Sequence, residues 1–125
     1  MKPVFFVTAA EFRNWLAAHH AKATEALVGF HKRESGRPSL TWPESVDEAL
    51  CVGWIDGVRR RIDETSYSIR FTPRQAASVW SAVNIAKVRE LEEQGRMTDA
   101  GREAFARRRE NRSGIYAYEQ RPQEL

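Results

Sequence analysis

Residues 51–84 read CVGWIDGVRRRIDETSYSIRFTPRQAASVWSAVN. Val58 and Ile62 alternate there with Arg59 and Arg61, and Tyr67, Ile69 and Phe71 alternate with Ser66, Ser68, Arg70 and Thr72. A period of two is the mark of half-buried strands. The connection through Asp63 to Ser66 is short enough for an antiparallel hairpin, which lays the polar rows of the two strands side by side. On that reading Arg59, Arg61 and Arg70 share a face, a set of like charges that calls for an anion or for neighbouring carboxylates. Gly53 and Gly57 bracket Trp54, Ile55 and Asp56, and glycine lets the chain turn sharply out of a helix and into the first strand.

Upstream, Thr41 and Glu44 have the spacing of a capping box, with Pro43 in the first turn, where its missing N–H costs nothing. A helix from Trp42 to about Val52 buries Val46, Ala49 and Leu50 and ends at Gly53. Before it, ESGRPS (34–39) reads as a turn, preceded by a strand from Ala26 to Lys32 with a basic end at His31, Lys32 and Arg33. A glycine beside basic residues can cradle a phosphate, but this spacing fits no P-loop. Nearer the start, Thr8 and Glu11 form a second capping-box pattern. The helix there runs to about Lys22 with Phe12, Trp15, Leu16 and His19 on one face, and Val4 to Val7 has the composition of an edge strand.

Downstream, Pro73 ends the second strand, since proline cannot donate to a sheet ladder. Ser78 is the expected cap of a helix from Val79 to Gln94, closed by Gly95, with Trp80, Val83, Ala86, Lys87 and Leu91 along or beside its inner face. A last helix, capped by Thr98, is expected from Asp99 to about Arg109, packing Ala100, Ala104 and Phe105 inward. The order strand, helix, strand, helix, hairpin, helix, helix predicts one α+β domain over residues 1–112. It is a small, mainly antiparallel sheet with a central hairpin and helices on one face. Residues 113–125 read as a polar tail.

The chain of 125 residues has 42% hydrophobic and 30% charged residues and a net charge of +3, a globular composition. The apolar runs are too short for a membrane helix or a secretory signal, so a cytoplasmic location is expected. Six arginines between Arg96 and Arg112 stand against Asp99, Glu103 and Glu110, either a solvated helix face or an anion-attracting one. Cys51 is the only cysteine, which excludes an internal disulfide and a thiolate-rich zinc site. His19 and His20 are adjacent and cannot share a helix face, so no metal site is expected.

The blocks TWPESVDEALCVGWIDG (41–57), RFTPR (70–74), VWSAVN (79–84) and VRELEEQGRMTDAG (88–101) together resemble the family named YdeI or OmpD-associated, also called bacteriocin-protection proteins. The likeness spans about Trp15 to Gly114. It implies no reaction, because those labels name a porin association and a protection phenotype. Members commonly continue into further helices, so the resemblance leaves two readings of residues 113–125, the start of such an extension or the end of a short member.

Three functions compete. In the first, Arg59, Arg61, Arg70 and Arg74 pair with an anionic small molecule or an acidic partner, Trp54 and Trp80 supply flat walls, and Asp56, Asn84 and Lys87 add polar contacts. Arginine suits this because its planar fork meets a carboxylate or phosphate at two points. The plain alternative is that these arginines bridge to Asp56, Asp63 and Glu64 and that the tryptophans are core. The second is nucleic-acid binding, whose footprint is basic residues among aromatics, although no helix-turn-helix, RRM signature or zinc motif is present. The third is an enzyme with Asp56 as general base or Cys51 as nucleophile. Cys51, between Leu50 and Val52, reads rather as a small core residue. No cofactor is expected.

Overall fold

A computed structural model describes residues 2–75 and 80–107. Four strands, β1 (Val4–Phe5), β2 (Ala26–His31), β3 (Trp54–Asp63) and β4 (Ser66–Pro73), form one sheet in the order β1-β2-β4-β3. Only the β1–β2 pair is parallel; β2–β4 and the β3–β4 hairpin are antiparallel. Helices α1 (Ala9–His19) and α2 (Trp42–Cys51) cover one face, and α3 (Ala82–Glu93) and α4 (Asp99–Ala106) pack behind α2. The architecture is the α+β domain expected. Of the hairpin strands, β4 is interior and β3 is the edge.

The core forms in two parts. Ala26, Val28 and Phe30 of β2 stand opposite Phe71, Ile69 and Tyr67 of β4, and this face meets Phe12 and Leu16 of α1 and Ala49 of α2. Phe12 and Phe71 touch edge to face, with ring centroids 5.3 Å apart. Each such side chain contributes roughly 1.5–3 kcal/mol by leaving water. A second cluster joins Leu50 and Cys51 to Trp80, Val88, Leu91 and Met97.

Helix ends follow local chemistry, with shifts. Thr41 and Glu44 form the full capping box, with Pro43 in the first turn, and Gly53 (φ 81°) carries the chain out of α2. At α1 the Thr8 hydroxyl accepts from Glu11 N–H, but the Glu11 carboxylate reaches one residue further, to Val7 N–H at 2.7 Å. Helix α1 ends at His19 rather than Lys22, because the His19 carbonyl accepts from both Lys22 and Ala23 in a tight turn. His19 itself is exposed, its ring tilted against Trp15 with centroids 4.8 Å apart. Helix α3 begins at Ala82 with Ser81 as its cap, three residues later than expected. The expected cap Ser78 and first residue Val79 lie outside the described residues, as do Arg108, Arg109 and the tail from Ser113. With the helix phase set by Ile85, Val88 and Leu91 against α2 and Met97, Val83 is 75% exposed and Ala86 is exposed, not inward.

The largest departure lies in β3. Val58 and Ile62 share a face, as their spacing predicts, but they are 63% and 41% exposed. Arg59 pairs with Ile69 and Arg61 with Tyr67, so the arginines lie on the helix side of the sheet and Val58, Arg60 and Ile62 on the open side. A bulge explains the inversion. Asp56 pairs with Phe71 and Arg59 with Ile69, leaving Gly57 and Val58 both opposite Arg70 and moving the residues from Val58 to Arg61 to the other face; a second shift before Asp63 pairs it with Ser66. Gly57 admits this because a Cβ there would come within 2.9 Å of the Arg70 carbonyl oxygen.

Candidate functional site

The nine residues singled out in the sequence do not form one site. Arg70 lies on the face opposite Arg59 and Arg61, where its Nε donates to Glu25 Oε1 at 2.6 Å. The expected row of three arginines is therefore split by the bulge. Trp54 and Trp80 are both buried, Trp54 edge-on to Trp15 and Trp80 edge-on to Phe105. Trp80 carries the guanidinium of Arg74 on its face, 3.8 Å from ring centre to Cζ. Burial pulls the Arg74 guanidinium down to about 10, against the pull of Asp56, which leaves it charged at neutral pH. These three therefore build the core behind the hairpin. The indole Nε1 of Trp80 is buried without a hydrogen-bond acceptor among the described residues.

Asp56, Asn84 and Lys87 do converge. They line a small cleft of about 280 Å³ between α2 and α3, walled by Trp42, Pro43, Val46 and Val83. Trp42 Nε1 donates to Asp56 Oδ2 at 3.0 Å, and Lys87 Nζ is held 3.3 Å from Glu90 and 3.7 Å from Asp47. Its cation is thus engaged within the chain, and the cleft walls are largely apolar. Arg70 and Arg74 line a separate hollow with Thr24 and Gln75.

Several cations on and beside the helices are paired in the same way, although Arg89 of α3 has no carboxylate partner among the described residues. Arg102 bridges Glu92 and Asp99, and Arg107 bridges Glu103. Arg96 joins Arg13 on the buried carboxylate of Glu48. The described part of the Arg96–Arg112 segment is thus a solvated, ion-paired surface.

One region differs. A trough of about 800 Å³ lies between the loop after β2 and the start of α2, lined by His31, Lys32, Arg33, Arg37, Trp42, Arg59 and Tyr67 among others. Lys32, Arg33, Arg37 and Arg59 have no carboxylate partner among the described residues, and Glu34 is the single acidic residue in the lining. Local structure explains the placement. A 3-10 turn (Arg33–Ser35) closes with Gly36 at φ 74°, a left-handed angle that glycine adopts without strain. Ser39 Oγ accepts from His31 N–H and ties the far side of the loop to the strand end. Across the trough, Arg59 lies flat on the Tyr67 ring, its Cζ 3.8 Å from the centroid. Such a contact fixes a guanidinium while leaving its N–H edges open. Of the residues expected to bind, Arg59 alone lines this trough; Arg61 lies exposed one pair further along β3. Lys32, Arg33 and Arg37 were missed. Their signal was the basic end of the second strand beside a glycine loop, which by spacing alone reads as a turn.

Cys51 lines another hollow, of about 500 Å³, together with Arg13, His20, Glu48, Arg96 and Thr98. Burial, with Glu48 nearby, pushes its thiol up to about 11. The thiol therefore stays protonated at neutral pH and is a poor nucleophile. Native protein should react with a thiol reagent at pH 7.5 far more slowly than unfolded protein; equal rates would contradict this. By linkage the raised value adds stability that is complete below about 9 and is lost as pH rises toward about 11.

The fold and the trough together define a small α+β domain with a cation-lined surface depression. The chain belongs to the family described as Domain of unknown function (DUF8412), whose match covers residues 4–104. Neither a curated protein nor a solved structure matches it. Among the described residues no helix is long and apolar enough to cross a membrane, and no group of three His, Cys, Asp or Glu residues is arranged to hold a metal ion.

Proposed function

We propose that this protein is a binding module for anions, small molecules or acidic partners, and that its site is the trough between the β2–α2 loop and β3. The observation that supports this reading is that Lys32, Arg33, Arg37 and Arg59 gather around one depression with no carboxylate partner among the described residues; Lys2, Lys22, Arg60, Arg61 and Arg89 also lack one but lie outside it, and Arg13, Arg70, Lys87, Arg96, Arg102 and Arg107 are paired with carboxylates. Like charges brought together without partners repel, and a bound phosphate or carboxylate turns that repulsion into charge-assisted hydrogen bonds. The guanidinium of Arg59, seated on a Tyr67 ring whose other face is stacked on Phe30, and the half-exposed Trp42 at the other end add surfaces for a planar ligand. The likeness to YdeI or OmpD-associated proteins and a cytoplasmic setting are part of the same proposal. Neither bears on the chemistry of the trough.

The test is thermal shift and calorimetry with inorganic phosphate, a mononucleotide and an aromatic carboxylate. Arg59→Ala and Arg37→Ala should each weaken the best of these about 10-fold, the value of one charge-assisted hydrogen bond. Lys22→Ala, on the turn after α1, should leave binding unchanged. If no anion raises the melting temperature, or if the trough variants respond like the native chain, the site is elsewhere.

A further inference from the structure

Resting on that reading, we infer that the anion the trough takes is the backbone of a single-stranded nucleic acid, with the exposed ring of Trp42 at one end of the trough stacking on a base. The charges come first. Lys32, Arg33 and Arg37 of the loop and Arg59 of β3 line one open trough, and a cation-lined groove is what tracks a phosphodiester chain. Arg61, next on the same face of β3, continues the row beyond the trough, and it too has no carboxylate partner among the described residues.

An exposed ring comes second, and it separates a nucleic acid from a merely acidic polymer. Trp42 is 48% exposed at one end although its Nε1 is tied to Asp56, so its face is held in place and open to solvent. The other exposed ring pair, Phe5 stacked on His31 with centroids 4.5 Å apart, is on the open side of the sheet, opposite Arg59 and Tyr67, and takes no part. A carboxylate polymer has no use for the Trp42 face, whereas a base stacks on it. A duplex fits less well. The cations stand on a loop and a strand edge, and the helices that could enter a groove keep most of their arginines in ion pairs.

The experiment is fluorescence anisotropy of labelled 12-nucleotide single strands, one of DNA and one of RNA. The competitors are the corresponding duplex, a polyglutamate peptide of equal charge and a mononucleotide. The single strand should bind at least 10-fold more tightly than each competitor. Engagement of three phosphates should cost about 20-fold in affinity between 50 and 200 mM salt. Arg59→Ala should lower the salt slope, Trp42→Ala should weaken binding with the slope unchanged, and Lys22→Ala should do neither. Circular dichroism verifies that each variant is folded. The difference between the DNA and RNA strands tells which sugar is preferred.

Polyglutamate binding as tightly as the oligonucleotide would overturn the inference in favour of an acidic protein partner. A duplex binding more tightly would overturn it as well. A mononucleotide equal to the 12-mer would overturn it while leaving the small-anion site intact. No binding of any probe would overturn both readings.

Discussion

Glu48→Ala should lower the free energy of unfolding by about 3 kcal/mol, near the lower end of what losing one partner of a buried ion pair costs. The Glu48 side chain is 2% exposed, and three donors meet it: Arg13 through Nε at 3.0 Å and Nη2 at 2.9 Å, and Arg96 through Nη2 at 2.9 Å. The carboxylate thus ties α2 to α1 and to the connection between α3 and α4. Both guanidinium groups are partly exposed and can turn to water once it is gone, which keeps the cost from rising further. For a domain of this size the melting temperature should fall by roughly 10–15 °C. Urea unfolding measures the loss, and a double-mutant cycle with Arg13→Ala isolates the coupling. A loss under about 1 kcal/mol would mean that the triad is a surface ornament and not a clamp.

Gly101→Ala should be about as costly, although alanine is the better helix former by about 1 kcal/mol. A Cβ at position 101 would overlap the carbonyl oxygen of Cys51 and come within 2.8 Å of Met97 Cε. That carbonyl already accepts from Thr98 N–H at 3.0 Å and Thr98 Oγ1 at 2.6 Å, so the start of α4 docks on the end of α2 at one atom. Backbone cannot yield as a side chain can, and the two helices must part. A net loss of about 2–3 kcal/mol is expected, in the range of core overpacking. Because α4 helps to cover Cys51, the thiol of the variant should also react faster in the folded state. An unchanged melting temperature together with an unchanged thiol rate would show that the contact relaxes at no cost.

These two positions show what kind of information a sequence read in order lacks. Glu48 is a charged residue in mid-helix whose partners lie 35 and 48 positions away, and no local pattern marks it as buried. Gly101 sits within a helix where a glycine looks like a weakness. Only the crossing of α4 over the end of α2 gives it a purpose.

The candidate site divides in the same way. From sequence alone came the α+β class, the hairpin, the edge position of β1, the full capping box at Thr41 and the core character of Cys51. All of these follow from local periodicity, local hydrogen bonding or composition. Trp54 and Trp80, read as walls of a site, proved to be core. Sequence also grouped Arg59 with Arg61, and Val58 with Ile62, because alternation along one strand needs no partner to define it. Which group faces the helices was decided by tertiary structure: the bulge at Gly57 and Val58 inverts the faces of β3 relative to Trp54–Asp56, and this parted Arg70 from Arg59. The trough has the same origin. Lys32 and Arg37 stand more than twenty residues before Arg59, and they become its neighbours only because β4, pairing with β2 on one side and β3 on the other, carries Tyr67 and the stacked guanidinium to the rim of the loop.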